Sequence, residues 1–268
     1  MDEKNIDELV EARLTITELA GLRVSEAIHH LRILKEKMLN SIPEKKRQSQ
    51  GITWVLQRIS DMLTEECDND DQIKVIALSL TNELSSDDIL RGVPLFMMGE
   101  YGKAHPIEVF DFFADSANSK NWVVREFAQA GFRTLISPNK EIVYPWLKGN
   151  AISGNPFLRR FVSETLRPVI VNRWMNKEPE YSLSILRLMF QESHPYPRTS
   201  VGNNLSDLSR RNPELIFTIV QELVEIGDRN SDWIAHRTCR NLVKQNPMRV
   251  MDILKVNEYH YKDRNYSR

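Results

Sequence analysis

A segment of 34 to 39 residues appears four times in the second half of the sequence. The copies begin at Asn121, Asn155, His194 and Asp232, and an arginine or a histidine stands four residues after each start. Segments of this length are typical of helix pairs, which cannot bury an apolar face alone and must stack on their neighbours. The repeat therefore predicts an all-α fold, an α-solenoid of stacked helix pairs.

Apolar residues recur three and seven positions after the arginine or histidine of each copy. Both spacings fall on one face of a helix, so we expect this face to pack into the core. The positions are Ala128, Val162, Val201 and Cys239, then Phe132, Leu166, Leu205 and Val243. Further amphipathic stretches predict helices at Pro106–Ala117, Lys140–Leu147, Pro179–Phe190, Pro213–Ile226 and Pro247–Leu254.

The first third of the chain has less regular helical patterns. Its candidate helices lie near Ile6–Thr17, Val24–Leu39, Ile52–Thr64 and Ile73–Leu84. The alternating β-branched pattern of strands is nearly absent. We therefore predict one repeat domain over residues 1–268, with acidic helices at 1–104, the clear repeats at 105–255 and a polar tail at 256–268.

Charge is unevenly divided along the chain, although the formal net charge is only −1. Residues 121–268 contain 22 lysines and arginines against 15 aspartates and glutamates, a formal charge of +7, which leaves −8 for residues 1–120. A positive half attracts a polyanion, and arginine suits planar contacts to phosphate. An ordinary division of one surface into acidic and basic parts explains the same counts.

The sequence has no recognisable motif for a metal ion, a nucleotide or a membrane. Gly99–Ala104 resembles a phosphate loop, but Met97 stands where glycine is needed, and no serine or threonine follows Lys103. The six histidines are scattered, apart from one adjacent pair that points in different directions on a helix. No apolar run is long enough to span a membrane, and the acidic start lacks the features of a signal peptide.

A second face of the repeat helices is rich in charge. It lies one, five and eight positions after the arginine or histidine of each copy. Its members include Glu126, Arg133, Arg160, Glu164, Arg167 and Asn203, with Asp207 one position beyond the pattern. Stacked repeats bring such faces side by side. Carboxylates would weaken a surface that only held phosphate, so they indicate a role of their own.

Three stretches of the second half contain motifs of a known protein family, namely Asn121–Ala128, Arg159–Trp174 and Val201–Leu208. They resemble the HEAT-like alkylpurine DNA glycosylases of the AlkC and AlkD type, and AlkC more than AlkD. AlkC-like proteins read approximately Trp-x-Val-Arg-Glu-Phe, Arg-Arg-x-x-Ser-Glu-Gly-Thr-Arg-Pro and Ala-Asn-x-Leu-Asn-Asp-Ile in these places. The resemblance covers about residues 105–255 and implies a right-handed α-α superhelix of HEAT-like helix pairs.

The resemblance also implies roles for single residues. Glu126, Glu164 and Asp207 correspond to the acidic active-site residues, and Trp122 and Trp174 line the site. The resemblance implies that Arg160 and Arg167 lie near the DNA, and Arg125, Arg198, Asn203 and Arg237 are further residues that we expect to bind DNA. For the repeat arginines Arg125, Arg159 and Arg198, hydrogen bonding between repeats is an equally good interpretation.

The activity that the resemblance implies is excision of cationic N3- or N7-alkylated purines from duplex DNA. The charged base leaves readily, carboxylates stabilise the oxocarbenium-like sugar, and indole faces suit a cationic base. Such an enzyme needs no cofactor, and we expect a cytoplasmic monomer. Two other functions suit the same fold: non-catalytic binding of damaged or branched DNA, and protein–protein scaffolding, the commonest use of such stacks.

Overall fold

The repeated apolar positions of the second half lie on helices and face the interior. The computed structural model describes residues 11, 13–15, 17–18, 24–47 and 50–260. Seven of the eight repeated positions are buried, and Val243 at the end of its helix is partly exposed. Within the described residues there is no strand, and no helix is both long and apolar enough to cross a membrane. The prediction of an all-α fold is confirmed.

The chain divides into two compact units, residues 1–140 and residues 141–268. The α-helices described in the first unit are α1 (Val24–Ser41), α2 (Ile52–Glu65), α3 (Asp70–Glu83), α4 (Gly92–Tyr101), α5 (Phe110–Ala117) and α6 (Trp122–Ile136). Those of the second are α7 (Lys140–Ala151, from the boundary onward), α8 (Pro156–Thr165), α9 (Pro179–Leu186), α10 (Pro195–Leu208), α11 (Pro213–Ile226), α12 (Arg229–Leu242) and α13 (Pro247–Leu254). Short 3-10 helices cover Glu44–Lys46, Leu84–Ser86, Ile107–Val109, Ser137–Asn139, Ile170–Asn176 and Arg187–Met189.

Some of the sequence predictions remain untested by the structure. The helix predicted at Ile6–Thr17 and the end of the polar tail, residues 261–268, lie largely outside the described residues. The single domain over residues 1–268 stays a prediction.

Helix α4 is an element of the first unit that the sequence pattern does not predict. It packs against α2, α3 and α6, and nine of its ten residues are buried. Because α4 is apolar on all sides, it lacks the one-sided periodicity by which an amphipathic helix is recognised. Gly99, in the stretch that resembles a phosphate loop, therefore belongs to the core.

Two glycines allow α4 and α6 to approach each other closely. A Cβ atom added at Gly131 would lie 2.4 Å from the carbonyl oxygen of Leu95. One added at Gly99 would lie 2.5 Å from the carbonyl oxygen of Gly131. Backbone atoms cannot swing aside as the end of a side chain can, so this separation of the two helices requires glycine at both positions.

Gly131→Ala is expected to lower the free energy of unfolding by about 3 kcal/mol, because the added methyl group forces α4 and α6 apart. Gly149→Ala in α7 is the matched control, since a Cβ atom there meets nothing within 4 Å. The control should raise the free energy of unfolding by about 0.5–1 kcal/mol. Urea unfolding measures both, and equal stabilities of the two variants would contradict the close approach.

In the second unit, one helix of each repeat stacks on the corresponding helix of the next. Helix α10 contacts both α8 and α12, while α11 and α13 pack against α12. The side chains of Asn155 and His194 accept hydrogen bonds from first-turn N–H groups of α8 and α10, as N-caps do. Helix α12 begins at Arg229, about one turn before the aligned start at Asp232, because Asp228 is its N-cap.

Candidate functional site

Glu164 on α8 is the centre of a set of paired charges in the second unit. Its carboxylate accepts hydrogen bonds from Arg160 at 3.2 Å, from Arg167 at 3.0 Å and from the hydroxyl group of Ser200 at 2.7 Å. The Arg160 guanidinium also donates to the Ser200 hydroxyl oxygen. Only 2% of Glu164 is exposed, so its charge is buried and compensated by these partners.

Asp207 on α10 extends these pairs to the following repeats. One carboxylate oxygen accepts hydrogen bonds from Arg167 at 2.9 Å and 2.5 Å, and the other accepts one from Arg240 on α12 at 3.0 Å. We call the set Arg160, Glu164, Arg167, Asp207 and Arg240 the charge network. The Asp207 side chain is 15% exposed against 3% for Glu164, so Asp207 is the carboxylate that reaches the surface.

Asn203 and Ser206 add polar contacts between α10 and α12. The Asn203 side-chain oxygen accepts hydrogen bonds from Arg237 at 3.0 Å and from Arg240 at 3.1 Å, and the Ser206 hydroxyl group accepts one from Arg240 at 3.1 Å. A guanidinium group has five N–H donors. Contacts of Arg237 with DNA, as the sequence predicts, would therefore have to use the donors that Asn203 does not occupy.

The pairing of charges sets the ionisation of the Glu164 carboxyl. Burial alone would raise its pKa, but the guanidinium groups of Arg167 and Arg160 and the Ser200 hydrogen bond together hold the pKa below its ordinary value. Glu164 is therefore an anion at neutral pH. A carboxylate in this state stabilises positive charge and does not act as an acid.

The surface beside Asp207 is a cleft lined mainly by cations, which we call cleft A. It has a volume of about 550 Å³ and is lined by Pro168, Arg173, Asn176, Lys177, Asp207, Arg210 and Arg211. The four cationic side chains are exposed. Cleft B shares Arg210 with it, has a volume of about 540 Å³ and is lined by Arg210, Arg240, Asn241, Val243, Lys244 and Tyr259. Six cations thus stand against one carboxylate, Asp207, along the two clefts.

The repeat arginines bind groups of the protein. Arg125 donates to two backbone carbonyl oxygens of the preceding loop at 2.6 Å and 3.1 Å. Arg159 forms hydrogen bonds of 2.6 Å and 2.9 Å with Glu192, and Arg198 donates to Asn230 at 2.7 Å. Of the two interpretations of these arginines, the described contacts favour hydrogen bonding within and between repeats.

The remaining candidate residues differ in unit and in exposure. Trp122 is 65% exposed at the start of α6, and Glu126 follows one turn later, partly exposed, on the same side of that helix. Both belong to the first unit. Trp174 belongs to the second unit and is partly buried, with its ring centre 5.1 Å from that of Tyr181. Arg167 bridges Glu164 and Asp207, so the structure brings these two carboxylates together.

The sequence interpretation overlooks the cations of cleft A. Arg173 and Arg211 lie 14 and 13 residues after the repeat arginines Arg159 and Arg198, beyond the ends of α8 and α10. A basic residue at a similar place in consecutive repeats is the signal that points to them. The charge counts indicate a basic second half but do not indicate which surface carries the charge.

Comparison with known sequences identifies a relative in Bacillus subtilis. No family model matches the chain. The uncharacterized protein YhaZ of Bacillus subtilis (strain 168) is 28% identical over 155 residues, which cover 54% of this chain. The matched stretch spans 40% of the length of YhaZ.

Solved structures of two other proteins share the fold. AlkD2 from Streptococcus mutans matches with a TM-score of 0.58 and 21% identity, over 69% of this chain and 87% of that one. The Pseudomonas fluorescens alkylpurine DNA glycosylase AlkC, bound to DNA containing an abasic site analog, has a TM-score of 0.55 and 19% identity, over 94% of this chain and 67% of AlkC. The chain thus has the helical-repeat fold of AlkC and AlkD2, which confirms at the level of the fold the resemblance inferred from its sequence.

Proposed function

We propose that this protein repairs alkylated DNA by excising cationic purines, alkylated at N3 or N7, from the duplex. The observation that carries the proposal is the position of Asp207, a carboxylate fixed by Arg167 and Arg240 at the edge of a cleft with four exposed cations. Cations suit the phosphates of a substrate, and the anion suits a sugar on which positive charge develops. The DNA-bound AlkC structure of the same fold supports DNA as the partner.

Loss of an alkylated purine requires little chemistry from the protein, because the base already carries a positive charge. The bond between C1′ of the sugar and the base nitrogen breaks, its electron pair stays with the base, and the base leaves uncharged. A carboxylate stabilises the oxocarbenium-like sugar until water adds to C1′ and releases a proton. Asp207 is the proposed stabilising group in the second unit, and Glu164 holds Arg167 against it.

The other candidate residues have supporting roles in the proposal. The resemblance implies that Glu126 of the first unit is an acidic active-site residue in the same reaction. Substitution of Glu126 can test this role. The indoles of Trp122 and Trp174 suit contact with a cationic base. The proposed enzyme acts as a cytoplasmic monomer and requires no metal ion or nucleotide.

Base release is the direct test. The protein is incubated in excess with duplex DNA that carries 3-methyladenine or 7-methylguanine, and the free base is measured by chromatography. We expect release well above a reaction without protein. If release equals the background at every protein concentration, the glycosylase proposal is wrong.

Arg211→Ala is expected to weaken binding of the protein to undamaged duplex DNA and to reduce the slope of log affinity against log salt by about 1, because one phosphate contact is lost from cleft A. Arg249→Ala is the control, since it removes the same charge from an arginine paired with Glu214 on α11. Fluorescence anisotropy over a range of salt concentrations measures both variants. Equal losses in the two would show that net charge, and not cleft A, controls affinity.

Non-catalytic binding of damaged or branched DNA is the second candidate function. It is favoured by Glu164, whose buried carboxylate already accepts hydrogen bonds from three protein side chains. This function predicts salt-dependent affinity for the duplex without base release. A protein–protein scaffold, in contrast, predicts no affinity for the duplex even at low salt.

A further inference from the structure

Two exposed aliphatic side chains lie in the segment between Pro168 and Arg173, two residues that line cleft A. Ile170 is 77% exposed and its neighbour Val171 is 46% exposed. Pro168, two residues before Ile170, and Arg173, three residues after it, both line the cleft. Because consecutive Cα atoms are about 3.8 Å apart, Ile170 lies within about 11 Å of Arg173. An apolar pair thus stands close to the cations of cleft A.

The segment that carries the pair is anchored at several points. It is the 3-10 helix Ile170–Asn176, and within it the fully buried Asn172 donates a hydrogen bond of 2.9 Å to the carbonyl oxygen of Thr165. At its end, the carbonyl oxygen of Asn176 accepts a hydrogen bond of 3.0 Å from the side chain of Asn212. The aliphatic pair is therefore presented from a fixed support.

We propose that Ile170 and Val171 form a wedge that enters the minor groove between adjacent base pairs, while the cations of cleft A bind the flanking phosphates. Apolar side chains inserted in this way unstack one base step and kink the duplex, as in architectural DNA-binding proteins. The inference rests on the proposed binding of DNA. It adds to that proposal the residues that deform the duplex.

The surroundings of the pair favour nucleic acid over an apolar protein partner. Cleft A offers four cations against one carboxylate. Two side chains also provide much less area than the roughly 800 Å² that each partner contributes to a stable protein interface. The cations of cleft A complement the phosphates of DNA, and the aliphatic pair is small enough to enter between two base pairs. Both observations favour a wedge.

A wedge gives the protein a preference for damaged DNA. Separation of two base pairs costs free energy, and the cost is smallest where stacking is already weakened, at a lesion or an abasic site. Ile170 and Val171 therefore favour binding at such places over intact duplex. The cations of cleft A should give the same affinity for intact and damaged duplexes, because both carry the same phosphates.

The test uses duplexes with 2-aminopurine next to an abasic-site analogue, because the fluorescence of this base rises when it is unstacked. The full chain is compared with a variant carrying both Ile170→Ala and Val171→Ala. Ile152→Ala is the control, since Ile152 is 68% exposed in the same unit and lines neither cleft. We expect the double variant to lose the rise in fluorescence and about tenfold of the preference for abasic over intact duplex, and the control to keep both.

Anisotropy with intact duplex in the same samples separates this inference from the proposed function. If the wild type binds duplex and the double variant gives the same rise and preference, the wedge is wrong and DNA binding stands. If the wild type binds no duplex at low salt, the proposed function fails, and the wedge fails with it. If the double variant differs only in self-association on gel filtration, the pair is a protein contact and the wedge is overturned.

Discussion

Replacing Glu164 with alanine is expected to lower the free energy of unfolding by about 3–5 kcal/mol, as removal of one partner from a buried ion pair does. The substitution leaves the guanidinium groups of Arg160 and Arg167 without the carboxylate between them, and it deprives the Ser200 hydroxyl group of its acceptor. Urea unfolding followed by circular dichroism measures the change.

Glu180→Ala is the matched control for this substitution. Glu180 pairs with Arg187 in the same unit at 2.9 Å, but 64% of its side chain is exposed. Exposed pairs of this kind contribute at most about 1 kcal/mol. If the two variants lose equal stability, the charge network does not hold the second unit together as described.

The contribution of Glu164 to stability should depend on pH in one direction. Its pKa in the folded protein lies below the ordinary value, so the unfolded chain takes up the proton first as the pH falls. The contribution is complete above about pH 4.5 and is lost as the pH falls further, towards the pKa of the folded state. The wild type and Glu164→Ala should therefore differ most in stability at neutral pH and least in acid.

Helices α11 and α13 of the second unit could be predicted because both are amphipathic and follow an Asn-Pro pair, Asn212-Pro213 and Asn246-Pro247. The predicted bounds of Pro213–Ile226 and Pro247–Leu254 agree with α11 and α13. Helix α4 could not be predicted in this way, since a helix that is buried on every side leaves no one-sided pattern in the sequence. Its burial results from contacts with α2, α3 and α6, and these contacts exist only in the folded chain.

The candidate site could be predicted only in part. The repeat frame places Glu164 on the charged face and Asp207 one position beyond it, and Arg167 joins the two carboxylates in the structure. The same frame selects Arg237 on α12, whereas it is Arg240 that bonds to Asp207. Which of two arginines one turn apart makes the contact depends on helix orientation and side-chain conformation, and a repeat pattern contains neither.

Asp207→Asn is expected to lower the rate of base release from alkylated DNA by about 10²–10³-fold, the usual effect of removing one group that stabilises charge in a transition state. Asparagine has the same shape, but it lacks the negative charge, and its single side-chain oxygen can replace only one of the two carboxylate oxygens that accept hydrogen bonds from Arg167 and Arg240. Glu222→Gln on α11 is the control, because it neutralises a carboxylate of the same unit that lines neither cleft. Single-turnover kinetics separates the rate of base release from DNA affinity.

Glu126→Gln should produce a similar loss of base release, and it distinguishes an enzyme from a DNA binder more sharply. Glu126 lies on α6 of the first unit, and the ion pairs described around Asp207 are formed by Arg167, Arg210 and Arg240. An enzyme whose carboxylates stabilise the sugar should then lose base release by about 10²-fold or more while its affinity for the duplex stays the same. If base release by Glu126→Gln equals that of the wild type, Glu126 has no part in the reaction. If neither variant nor the wild type releases base while all three bind DNA, the protein is a binder.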